Sequence, residues 1–199
     1  MYFYFMKFPA LVLIDIQQGF IEKAYYGGGR NNPQAELNAG RLLKTWRQME
    51  WPVCHIHHHS ENPLSPLHKS KDGKKPHSAV EPSPEETVYL KTVHSGFIEN
   101  PLEQDLKEKG IQKLVFAGIT ANHCVSTNVR MANNLGFHCT LVSDATAAFD
   151  QVDAEGLTID APTVHRVTLA SLKGEFAELS TTDEIIEGIN RGEFPMVNT

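Results

Sequence analysis

Along the chain, short apolar runs bounded by turn residues alternate with segments of helical period, the pattern left by strands and crossover helices of a parallel sheet. Ala10 to Ile16 reads as the first strand. Gly27, Gly28 and Gly29 follow, then Asn32 and Pro33, an N-cap with proline at the first helical position. Leu37, Leu42, Leu43, Trp46 and Met49 supply the apolar face of that helix. Pro52 to His57 reads as a second strand, and Ser60 to Glu86, with five prolines and Lys69, Lys71, Lys74 and Lys75, as a long irregular loop. Such loops in compact domains are usually lids or binding loops. Thr87 to Lys91 is a third strand, and Asn100-Pro101 opens a helix with Leu102 and Leu106 inward and Gly110 as its stop. Lys113 to Ile119 is a fourth strand. A helix from Cys124 to Leu135 carries Val125, Val129 and Ala132 on one face and stops at Gly136, before a fifth strand from Phe137 to Val142. Ala161 to Leu172 reads as a helix ending at Gly174, Glu175 to Leu179 as the last strand, and Thr182 as the start of a terminal helix with Asp183 and Glu184 in its first turn. The expectation is an α/β domain spanning residues 1–199, with six strands and neither internal repeat nor linker.

Composition narrows the function. With 199 residues, 41% hydrophobic and 21% charged, the chain has enough apolar surface for one sizeable core. Eighteen Lys and Arg against 24 Asp and Glu leave a net charge of -6, which offers no footprint for a nucleic-acid backbone. The apolar stretch from Met1 to Ile14 is interrupted by Lys7 and Pro9, runs into Asp15 and has no small-residue cleavage site. It predicts neither a signal peptide nor a membrane span, and Met6 is an alternative start to Met1. Cys54, Cys124 and Cys139 form no CxxC pair, which argues against a disulfide framework and for a reducing cytoplasm.

Three reactive residues fall where parallel strands end, the usual place for ligands in such sheets. Asp15 closes the first strand, Lys91 the third, and Cys124 follows the fourth at the start of a helix. A buried Asp or Lys at a strand end needs a partner, so Asp15 and Lys91 read as a plain ion pair or as a reacting one. A thiol at a helix N-terminus beside a lysine is turned toward thiolate, which predicts a depressed pKa for Cys124. Cys54 and Cys139, inside strands, read as core. Phe20 and Phe97, near Asp15 and Lys91 in sequence, are candidate pocket walls or core residues. Strand alternation places His55, His57 and His59 on one face and His58 on the other, with His68 further on. Imidazoles so grouped hold zinc in some proteins, here His57, His59 and His68; the plainer reading is polar pocket histidines, with His57 or His59 against substrate. His165 reads as packed, and the lysine-rich loop as solvated or as an attractor of anions.

The set Leu11-Val-Leu-Ile-Asp15, Leu90-Lys91 and Gly118-Ile-Thr-Ala-Asn-His-Cys124-Val125 resembles the isochorismatase-like cysteine hydrolases. Arg130-Met-Ala-Asn-Asn-Leu-Gly136, Ser143-Asp-Ala-Thr146 and Leu169-Ala-Ser-Leu-Lys-Gly-Glu-Phe176 extend the resemblance over nearly the whole chain. It implies a three-layer α/β/α fold with a six-stranded parallel sheet, and Asp15, Lys91 and Cys124 as a catalytic triad. It also implies a cis peptide at Ile119-Thr120, with the Thr120 and Cys124 N–H groups forming an oxyanion hole. Many relatives carry Thr next to Asp before the cysteine; Ala121, Asn122 and His123 stand here, making Asn122 and His123 candidates for a different pocket wall. The metal-binding branch of the family uses an Asp-x-His pair, and this chain has no Asp between Val53 and His68, so no metal and no organic cofactor is expected.

The chemistry that follows is cleavage of a C–N bond in a small amide or ureido substrate through a thioester. Competing readings are vinyl ether hydrolysis of the isochorismatase type, which Cys124 disfavours, and a noncatalytic binding or assembly module. The expected partners are a small-molecule substrate and, by resemblance, further copies of the chain in a dimer or tetramer, with neither nucleic acid nor membrane.

Overall fold

The structure, a computed structural model, describes residues 8–193, so Met1 and Met6 lie outside the described residues. Strands β1 (Ala10–Ile14), β2 (Val53–His58), β3 (Thr87–Lys91), β4 (Lys113–Ile119), β5 (His138–Ala147) and β8 (Glu178–Ser180) form a six-stranded sheet. Its order is β3-β2-β1-β4-β5-β8, and every neighbouring pair is parallel. Helices α1 (Ala35–Gln48) and α5 (Thr182–Asn190) cover one face; α2 (Leu102–Glu108), α3 (Ser126–Asn134) and α4 (Ala161–Leu172) cover the other. Alternation along β1 explains the three layers. Ala10, Val12 and Ile14 pack with α2, α3 and α4, whereas Leu11 and Leu13 pack with α1 and α5.

Several elements depart from the sequence reading, each for a local reason. Asn32 does not cap α1; at φ 43° its amide crosses to the carbonyls of Ser143 (3.1 Å) and Thr146 (2.7 Å), and the helix opens later, behind Gln34. The buried stripe of α1 is Ala35, Ala39, Leu42, Leu43 and Trp46, a helical period that leaves Leu37 and Met49 exposed. Residues 175–177 do not join β8, because the N–H groups of Phe176 and Ala177 close the end of α4 on the Leu172 carbonyl. β5 continues past Val142 to Ala147, and the connection after it holds a hairpin of β6 (Gln151–Val152) and β7 (Thr158–Ile159). Asp153 closes that hairpin by accepting from the N–H groups of Glu155 and Leu157. The stretch 60–86 is irregular, with two single 3-10 turns at Asp72–Lys74 and Ser78–Val80.

Candidate active site

The sheet order reverses direction between β1 and β4, so the chain leaves their carboxyl ends toward opposite sides and opens a crevice there. Asp15 stands at that end of β1 with φ 51°, a left-handed conformation that Asp tolerates better than most residues. Its N–H donates to Ile56 O at 2.8 Å and its carbonyl accepts from Gln17 N at 2.9 Å, which fixes the turn. Gly118, at φ 155°, lets β4 close onto this point; a Cβ there would lie 2.2 Å from the Ile14 carbonyl oxygen. The Ile119-Thr120 peptide is cis. Helical structure begins immediately after it as a π-turn, Ala121–Val125, in which Val125 N donates to Thr120 O at 3.2 Å. Cys124 thus lies inside the first turn, three residues after the helical start rather than at it.

This brings Asp15, Lys91 and Cys124 together. The Lys91 ammonium donates to Asp15 Oδ2 at 2.7 Å and to Cys124 Sγ at 3.4 Å. The side chains of the ion pair are 0% and 1% exposed. Burial works against the Lys91 ammonium, but the Asp15 carboxylate and the Cys124 sulfur beside it more than offset that and raise its pKa. Cys124 corrects the sequence expectation of a depressed pKa: burial and the neighbouring Asp15 charge push its thiol up, against the pull of Lys91. Both effects favour the protonated thiol at rest. Cys54 and Cys139 are buried thiols raised to about 12, Cys54 within the sheet core and Cys139 donating to Val129 and Phe137 carbonyls.

The other candidates separate. Phe97 is buried in the cluster that holds Cys124, stacked on Phe137 at 6.3 Å. Phe20 is buried beside Ile119, with its ring 4.6 Å from that of Tyr26. Both form the apolar bed of the site. Asn122 and His123 touch one another, Nδ2 to Nε2 at 3.3 Å, and the His123 ring lies 6.1 Å from that of His94. His57 is buried with its edge on His55, and burial pulls its pKa down to about 4. His59, beyond β2, lines a cavity of about 350 Å³ with Lys69, Lys91, Val93 and Ile98. His68 bonds Ser70 Oγ at 2.8 Å within its own turn. His57, His59 and His68 therefore do not converge, and among the described residues no group of three or more His, Cys, Asp or Glu is arranged to hold a metal ion. His165 is packed, with Nε2 3.0 Å from Thr146 Oγ1. The loop lysines serve the loop: Lys71 donates to Leu64 O, Lys74 to Lys69 O, and Lys75 pairs with Asp72.

Four residues of the site were not identified from the sequence. His58 Nδ1 accepts from Lys91 Nζ at 3.3 Å, and burial followed by the Lys91 charge lowers its pKa, so it stands neutral. His94 Nδ1 lies 3.5 Å from Cys124 Sγ. Gln17 ties the end of β1 to β2 and to the long loop, donating to His58 O (3.0 Å) and Lys74 O (2.6 Å) and accepting from His58 N (2.9 Å). Tyr26 packs its ring on Phe20 and Phe149. Its hydroxyl, with Asp15 Oδ1, Thr120 Oγ1 and Asn122 Oδ1, is buried without a hydrogen-bond partner in the protein. Burial first, then the acidic neighbours Tyr25, Glu22, Asp15 and Cys124, raise the Tyr26 pKa.

A parallel sheet of this kind hosts many chemistries, and comparison with known proteins identifies the family. The Isochorismatase domain model matches residues 9–184, and the chain belongs to the isochorismatase family of hydrolases. It is similar to the uncharacterized isochorismatase family protein YrdC of Bacillus subtilis (strain 168), with 44% identity over 177 residues, 89% of this chain and 94% of that one. Ureidoacrylate amidohydrolase RutB of Variovorax paradoxus (strain S110) is 32% identical over 107 residues, covering 54% of this chain and 38% of its own length. A crystal structure from the same family, from Chromobacterium violaceum ATCC 12472, superposes with a TM-score of 0.88 at 37% identity, covering 96% of this chain and 97% of that one. No described helix is long and apolar enough to cross a membrane.

Proposed function

We propose that this hydrolase cleaves the C–N bond of a small amide or ureido compound through a thioester on Cys124. The observation that carries the reading is the single ammonium of Lys91 shared between Asp15 Oδ2 at 2.7 Å and Cys124 Sγ at 3.4 Å. Asp15 takes the thiol proton while sulfur bonds to the substrate carbonyl carbon, and Lys91 holds both the carboxylate and the developing thiolate. The Thr120 and Cys124 N–H groups are assigned to the oxyanion. Collapse breaks the C–N bond, and the leaving nitrogen takes the proton from Asp15. Water then attacks the thioester carbonyl, giving its proton to Asp15; the C–S bond breaks and the proton returns to sulfur. The orphaned acceptors Asp15 Oδ1 and Asn122 Oδ1 suit the N–H groups that a carboxamide or urea presents, and a vinyl ether presents none. The amidohydrolase named among the relatives supports the same bond type. Lys91 supplies the only cation this scheme needs, so neither metal nor organic cofactor takes part. The three free cysteines fit a reducing cytoplasm, and the resemblance fits a homo-oligomer.

The test is ammonia release from a panel of amides and ureides. Cys124→Ala should abolish turnover, and rapid acid quench of the native chain should show an acyl or carbamoyl mass on Cys124. Substantial turnover by Cys124→Ala, or isochorismate conversion by that variant, would refute the proposal.

A further inference from the structure

The thiol of Cys124 has a second basic group against it. His94 Nδ1 lies 3.5 Å from Cys124 Sγ, and the contact is built into the fold. Asn128, fully buried one helical turn beyond Cys124, donates to both Cys124 O (2.7 Å) and His94 O (3.0 Å), while its Oδ1 accepts from Gly96 N at 2.7 Å. One side chain thereby clamps the segment carrying His94 to the backbone of the nucleophile. Gly96 permits this approach, since a Cβ there would sit 2.7 Å from Ile56 Cδ1 and 3.1 Å from Asn128 Oδ1.

We propose that His94, in place of Asp15 in the scheme above, is the catalytic proton carrier for Cys124: Nδ1 takes the thiol proton and, as imidazolium, holds the thiolate that attacks, leaving Asp15 as the counter-ion of Lys91. The S–H bond breaks and an N–H bond forms at Nδ1; that proton passes to the leaving nitrogen as the C–N bond breaks, and the water that hydrolyses the thioester supplies, through Nδ1, the proton that returns to sulfur. The electrostatic argument is that Asp15 is already the counter-ion of Lys91 in a buried pair, and protonating it dissolves that pair. The His94 ring stands outside that pair, so it takes the proton without that cost. His94 is exposed, so its charge is solvated, whereas Asp15 and Lys91 are buried. His123, with ring centroid 6.1 Å away, and His58, in contact with Lys91, both have their pKa values lowered, burial being the largest cause, which favours the neutral ring. Lys91 and Asp15, the remaining charges, compensate one another.

The inference rests on Cys124 as the reacting group, but its test needs no substrate. Iodoacetamide labelling of Cys124, followed by peptide mass mapping against pH, reads thiolate formation directly. In His94→Asn, which keeps a polar group that cannot titrate, labelling at pH 7 should fall about a hundred-fold, with the midpoint displaced to higher pH. His94→Ala should behave alike and recover with added imidazole. An independent reading in the unmutated chain is NMR of the His94 ring, whose titration must shift once Cys124 is carboxamidomethylated. A folded variant that labels with the native pH profile, or a His94 titration indifferent to alkylation, would overturn the proposal and leave Asp15 as the sole base. If instead Cys124→Ala retains turnover while these couplings hold, the reading of the nucleophile fails and the His94–Cys124 linkage stands.

Discussion

Replacing Lys91 by Met removes one charge from a pair whose side chains are 0% and 1% exposed, while filling nearly the same space. The carboxylate of Asp15 is then left buried without its counter-ion, and breaking a buried pair in this way costs about 3–5 kcal/mol. For a domain of this size that corresponds to a fall in Tm of about 10 °C, or about 1–2 M in the urea midpoint. Urea titration followed by fluorescence suits this chain, because Trp46 and Trp51 are both buried and lie edge to face at 5.6 Å. The decisive arm is the double variant Asp15→Asn/Lys91→Met, because Asn is neutral and, like Asp, tolerates the left-handed φ of 51°. Removing both charges and the desolvation they suffer should restore stability to within about 1 kcal/mol of the native chain, or exceed it. Ammonia release should be lost in both single variants and in the double one, so stability and catalysis part company. A Lys91→Met variant that loses less than about 1 kcal/mol, or a double variant no more stable than Lys91→Met, would refute the description of this pair as buried and mutually dependent.

Other expectations concern pH, recognition and metals. Burial favours a neutral Glu86 carboxyl, but hydrogen bonds from Arg47, Ser83 N and His55 overcome it and bring the pKa down to about 2, while burial, helped by His55 and His59 and opposed by Asp15, brings His57 down to about 4. Both groups bind protons more readily when unfolded, so stability should fall as pH drops from about 6.5 toward 4 through His57 and from about 4.5 toward 2 through Glu86. Glu86→Gln should flatten the lower limb, which urea titration at stepped pH will reveal. Tyr26→Phe removes a hydroxyl that has no partner in the protein, so Tm should hold or rise while kcat/KM for the best substrate falls about ten-fold; a drop in Tm without loss of kcat/KM would assign the hydroxyl a structural role. Dialysis against a chelator should leave turnover unchanged, and loss of activity together with stoichiometric zinc, iron or manganese would contradict the scheme.

Alternation and punctuation in the sequence were enough to read the bounds of β3 and β4, the span of α4 and the inward faces of α2 and α3, because strand and helix periods are local properties of the chain. The three residues that meet at the switch point could likewise be named, since each follows an apolar run and a buried charge must find a partner. Their electrostatics could not. A helix terminus beside a lysine argues for an acidic thiol, but only the fold shows how deeply Cys124 is buried and that Asp15 faces it, two effects that reverse the sign. His58 and His94 were likewise out of reach, the first because alternation alone set it on the face opposite His57, the second because it follows β3 in a turn with no periodicity to aim it. Asn128 did leave a trace, since four residues along a helix return to the same face as Cys124. What joined it to His94 was contact between segments 34 residues apart in the chain, which short-range pattern does not encode and tertiary packing alone decides.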